Sequence, residues 1–123
     1  MNYELVSLIG DCIDNVYNNT SEQADRRTVA RLGDNLLTIE FRTILTIAKD
    51  KDLKFQLDHL KSESTQLINS RLKTIKSVFK DKAGRALSTK KCHEEDSMET
   101  LTVSPYSPIK TIKYVFKVSY EIA

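Results

Sequence analysis

The chain has no tryptophan, two cysteines, two prolines and three glycines in 123 residues. Each shortage excludes something. Cys12 and Cys92 are too few to build the disulfide framework of a small secreted domain. Cys12 falls on an apolar helical stripe and reads as a small buried hydrophobe. So little glycine and proline excludes a collagen-like or low-complexity chain. No apolar run approaches the ~18–20 residues that a bilayer-crossing helix needs, so no membrane is expected as a partner. No N-terminal stretch joins a basic start to an apolar core, so no secretory signal is read. The expected setting is intracellular and reducing, or within a virion. The acceptor patterns at Asn18 and Asn19 are discounted on that ground.

Catalytic and metal motifs are scarce as well. Cys92-His93 is a pair of adjacent soft ligands, but a structural zinc site needs four with paired spacing. The other candidates, Cys12 and His59, fall on separate predicted helices. Glu94-Glu95-Asp96 is a single local run, whereas a hard-cation site draws oxygens from several places. There is no nucleophile-elbow pattern. "AGRALSTKK" has one glycine and lacks the Lys-Ser/Thr spacing of a phosphate loop. No enzyme activity, cofactor, metal or small-molecule substrate is expected.

What is present is an ordinary globular composition, 40% apolar and 29% charged. The length suits one domain, residues 1–123, with a core of its own. The net charge of +2 hides a strong pattern. Residues 1–63 carry a net −3, residues 64–93 a net +7 and residues 94–123 a net −2.

Periodicity supplies the elements. Leu5, Leu8, Ile9, Cys12, Ile13, Val16 and Tyr17 recur at steps of three and four, which predicts a helix over 3–17. Thr20 or Ser21 offers a cap for a second, short helix ending near Leu32, with Gly33 past its end. The period then changes to two. Leu37, Ile39, Phe41, Leu45 and Ile47 share one parity, with Ile44 apolar on the other, which predicts a long strand. Asp52 is a good N-cap, and the stripe from Leu53 to Phe79 predicts a helix of ~30 residues and ~45 Å that Gly84 terminates. A short strand over 98–104 and a turn at "PYSPI" lead to the clearest alternation in the chain. There Ile112, Tyr114, Phe116, Val118, Tyr120 and Ile122 lie on one face.

The expected fold is α+β. An N-terminal helix pair precedes a long strand, the long helix and a C-terminal two-stranded hairpin, and the three strands form a sheet packed on the long helix. The helical crossover also permits the first and last of these strands to pair in parallel.

The strongest functional signal is basic. Arg71, Lys73, Lys76, Lys80 and Lys82 decorate the end of the long helix, and Arg85, Lys90 and Lys91 continue into an expected loop. Cations are favoured at a helix C-terminus by its dipole, at ~0.3–1 kcal/mol each. The same eight residues would also serve to bind nucleic acid or an acidic partner through phosphate or carboxylate contacts. The expected function is nonetheless a non-enzymatic assembly or interaction protein, a subunit of a homo-oligomer or larger complex of viral or phage type. Its partners are expected to be copies of itself or other protein subunits. A nucleic-acid-binding accessory protein using residues 71–91 is the alternative.

Overall fold

The computed structural model describes residues 2–17, 24–102 and 104–123. Six elements follow one another: α1 (Asn2–Tyr17), β1 (Ala24–Leu32), β2 (Leu36–Ala48), α2 (Leu53–Ala83), β3 (Leu87–Thr102) and β4 (Ile109–Ile122). The strands form one antiparallel sheet in the order β1-β2-β4-β3. β4 is inserted between β2 and β3, so β2 and β3 run parallel to each other without touching.

Two expectations are corrected. There is no N-terminal helix pair, because the segment expected as a second helix is the strand β1. The sheet therefore has four strands, not three. Of the pairings the crossover permits, the antiparallel one is made, with β2 and β4 as neighbours. The physical reason for the first miss lies in what β1 points inward. Arg26, Thr28, Ala30 and Leu32 lie opposite Thr43, Phe41, Ile39 and Leu37. They are mostly polar or small, so no apolar alternation marks them. Arg26 reaches the helix layer as an ion, 2.7 Å from Glu63 on α2. Gly33 ends no helix: it starts the β1–β2 turn, where its N–H donates to the Leu36 carbonyl at 2.9 Å. The cap expected at Thr20 or Ser21 lies outside the described residues.

The fourth strand also starts earlier than expected. β3 begins at Leu87 rather than Met98, so the stretch expected as a basic loop is an edge strand. It shows no alternation because it is held by backbone pairing with β4 rather than by burial. Its register slips between Leu87 and Lys91, between Lys91 and His93, and between Thr100 and Thr102. Between the last two slips, residues 93–100 pair without interruption.

The core forms as the periodicity predicts. In β2, Leu37, Ile39, Phe41, Leu45 and Ile47 are buried; in β4, the six even-numbered residues from Ile112 to Ile122 are buried. Register sets them side by side: Leu37 opposite Tyr120, Ile39 opposite Val118, Phe41 opposite Phe116. The Phe41 and Phe116 rings stack at 6.2 Å. Leu5, Ile9 and Ile13 of α1, with Leu60, Ile68, Leu72, Ile75 and Phe79 of α2, close over this face as one cluster. Both helices therefore share one side of the sheet and leave the other open.

Lengths match. The 31 residues of α2 span ~46 Å as a helix, and the 14 residues of β4 span ~46 Å as a strand. The caps are as read. Asp52 accepts from the Phe55 N–H at 3.2 Å, and Gly84 takes φ +65° while its N–H donates to Lys80. A side chain there would meet the left-handed penalty.

One prediction separates the two faces. Phe116→Ala removes a fully buried ring and should cost ~3–5 kcal/mol in urea unfolding. Ile44→Ala, on the open face, should cost about 1 kcal/mol or less. Equal losses would contradict the one-sided core.

Candidate interaction surfaces

The eight basic residues singled out by sequence do not form one site. Lys73, Lys76, Lys80 and Lys82 are exposed on α2. The spacing of the first three puts them on a common helical face. None of the four makes an ion pair among the described residues. Arg71 is partly buried, and its Nε lies buried without a hydrogen-bond partner.

Arg85 is committed to the fold. Its Nε donates to the Ala123 carbonyl and its Nη2 to the Asp34 carbonyl, each at 3.1 Å. It ties the start of β3 to the β1–β2 turn and to the end of β4. Lys90 and Lys91 stand on β3, and Lys91 is 3.1 Å from Glu94. Basic residues expected in one loop are thus divided among a helix face, a clamp and a strand edge.

The acidic run is also divided, because strand alternation splits it. Glu94 and Asp96 face the helix side, opposite Val118 and Phe116, and Glu95 faces the open side, opposite Lys117. Asp96 accepts from the Tyr114 hydroxyl at 2.9 Å. Burial, and secondarily the negative charge of Glu94, push the Tyr120 hydroxyl up to about 12. It remains protonated through the physiological range. Among the described residues no group of three or more His, Cys, Asp and Glu could hold a metal ion, and no helix is long and apolar enough to cross a membrane.

The open face carries a second basic group, of which sequence reading missed the β1 residues. Arg27 and Arg31 of β1, Arg42 of β2, and Lys113 and Lys117 of β4 share it with Ile44 and Val115. Lys113 and Lys117 lie on the open face of an inner strand. The centre of the group is Glu40, only 5% exposed although no helix covers it. It accepts a short hydrogen bond from the Arg42 Nε and lies 3.5 Å from Lys117 and 4.0 Å from Arg31. Arg27 and Arg31 were hidden because their segment reads as a helix, where their shared strand face is not apparent.

The two edge strands of the sheet differ in charge. The β1 edge carries Arg26, Arg27 and Arg31 against Asp25. The uninterrupted part of β3 carries Glu94, Glu95, Asp96 and Glu99 with no Lys or Arg. Residues 88–101 are exposed throughout. β1 and β3 each pair on one side only, so two long edges are free among the described residues.

The concavities are shallow relative to this surface. One, about 410 Å³, lies between α1 and the end of α2, lined by Leu5, Leu8, Leu32, Phe79, Lys82 and Arg85 among others. Its arginine is already bonded to the two carbonyls named above.

Glu40 makes the open face sensitive to pH. Burial pushes its carboxyl up, but the Arg42 hydrogen bond and the charges of Arg42, Lys117 and Arg31 outweigh this and hold it below its ordinary value of 4.5. A carboxyl depressed in the folded state adds stability that is complete above its unfolded value and is lost as pH falls through the folded one. The Glu40 contribution should be constant at neutral pH and decline in acid below about 4.5. Unfolding measured against pH should show this decline in the parent chain and a shallower one in Glu40→Gln. Identical slopes would contradict it.

Neither a protein-family model nor a curated protein matches this chain.

Proposed function

We propose that the protein is a non-enzymatic assembly subunit that joins other protein subunits through the edges of its sheet. The observation that carries this reading is the pair of long free edges with opposite charge, β1 basic and β3 acidic. A free strand edge presents unmade backbone hydrogen bonds, and another chain's strand can complete them. Opposite charge on the two edges selects among partners and orientations. The register slips at both ends of β3 limit where such a strand can lie. By analogy of size and architecture alone, the reading extends to a subunit of viral or phage type acting in a cell or in a virion.

Light scattering on a sizing column tests the reading. A mass well above the 14.1 kDa chain, or a co-purified protein, is expected at high concentration. A strict monomer with no companion would contradict it.

A second reading rests on the exposed lysines of α2. Lys73, Lys76, Lys80 and Lys82 lack ion-pair partners among the described residues, and such a face suits a phosphate backbone. On this reading duplex binding falls steeply with salt, and Lys76→Glu with Lys80→Glu abolishes it. Binding indifferent to salt or to that double substitution would remove this reading and leave the first standing.

A further inference from the structure

The two free edges are complementary to each other. We infer that the partner at each edge is a second copy of this chain, with β3 of one copy adding antiparallel to β1 of the next. This rests on the assembly reading and specifies its partner. Three independent features of the fold agree on the match.

The first is direction. β1 runs opposite to β2, β2 opposite to β4 and β4 opposite to β3. β3 is therefore antiparallel to β1, and a neighbouring copy in the same orientation continues the sheet without inversion. Its helices fall on the same side.

The second is length. β1 has nine residues, and residues 93–100 of β3 are bounded at both ends by register slips. The window holds eight residues, and seven of the nine in β1, Arg26–Leu32, can lie against residues 94–100 without crossing a slip.

The third is charge at fixed spacing. On the open face β1 presents Arg27 and Arg31, four residues apart; β3 presents Glu95 and Glu99, also four apart. One antiparallel register places Arg27 opposite the neighbour's Glu99 and Arg31 opposite the neighbour's Glu95. The same register places Val29 opposite Ser97 and Thr28 opposite Met98. A slip of one residue would put facing side chains on opposite sides of the sheet. A slip of two in one direction leaves the arginines facing Leu101 and Ser97. In the other direction they face Ser97 and His93, and Asp25 meets Glu99. Only the first register, among these, pairs both arginines.

Shape on the helix side agrees. Met98 is 47% exposed, facing the helix side of its sheet opposite Tyr114. A shallow groove of about 240 Å³ runs between α1 and β1, lined by Val6, Gly10, Thr28 and Ala30 among others. A Cβ added at Gly10 would meet nothing within 4 Å, so this wall is open. With Thr28 opposite Met98, the thioether enters that groove, and flexible methionine suits an irregular gap. The neighbour's α1 then extends the helix layer above β3.

The contact joins unlike surfaces, so an open oligomer keeps one free edge of each kind, at its two ends. It generates a closed ring if the rotation per copy closes, and a filament if it does not.

Disulfide trapping tests the register. In a Cys92→Ser background, Val29→Cys with Ser97→Cys should give a ladder of dimers, trimers and higher multiples on mild oxidation, collapsing on reduction. Val29→Cys with Glu95→Cys is out of register and should give roughly tenfold less. A charge swap gives an independent readout. Arg27→Glu should weaken assembly by roughly threefold to tenfold, and adding Glu99→Arg should restore it. An in-register ladder together with restoration supports the proposal. Equal trapping in both cysteine pairs, or no restoration by the swap, overturns the register. If no ladder forms while the chain still runs as a large species or holds another protein, self-pairing falls and the assembly reading survives. If no ladder forms and the chain is a strict monomer without a companion, both fall.

Discussion

Everything in this fold depends on the burial of one face of β2 and β4 beneath two helices. The apolar residues of the two strands meet in register, with the stacked Phe41 and Phe116 rings at the centre. α2 is as long as the strands beneath it, and it closes the inner sheet together with α1. Because β4 lies in the interior of the sheet, its alternate residues are buried from Ile112 to Ile122. The burial of Phe79, Phe116 and Tyr120, with their neighbours on α1, supplies the largest favourable contribution to stability.

A sheet covered on one side has consequences for its other side and its edges. The open face cannot be apolar, and here it carries arginines and lysines gathered about Glu40. Arg42, Lys117 and Arg31 offset the cost of removing that carboxylate from water, and their own stems cover it. At the edges the burden is different. β1 gains a firm hold through Arg26 and Glu63, which reach between sheet and helix layer. β3 is held by Leu87, by the Arg85 clamp at its start and by its pairing with β4. Lys61 crosses from α2 toward it, 5.6 Å above the Phe116 ring and 3.9 Å from Glu94, so this side of the core is closed by a charged side chain. What is left outside is a long strand rich in carboxylates, facing the arginines of the opposite edge only in another molecule.

The legible parts of the sequence are those in which burial dictates residue type. The alternation in β2 and β4 and the stripe of α2 mark elements whose inward residues must be apolar. The caps Asp52 and Gly84 mark ends whose backbone groups need particular partners or dihedral angles. β1 was not legible, because Arg26, Thr28 and Ala30 meet the core through an ion pair and small side chains. The first half of β3 was not legible either: a strand exposed on nearly every residue carries no periodic signal. The candidate surfaces divide in the same way. Lys73, Lys76 and Lys80 could be placed on one helix face by spacing alone. Arg27 and Arg31 could not be placed until their segment was known to be a strand. The role of Arg85 depends on three chain segments meeting, which no local pattern encodes.

The central claim is that the two sheet edges are where this protein meets its neighbours. Amide hydrogen exchange, followed as a function of protein concentration, addresses it most directly. Edge amides that face water in an isolated chain become hydrogen-bonded donors when another strand adds to the sheet. Protection should rise with concentration within Ala24–Leu32 of β1 and within residues 93–100 of β3. The interior strands β2 and β4 should change little. Exchange at both edges that stays the same from dilute to concentrated solution, while the protein is demonstrably assembled, would contradict the claim.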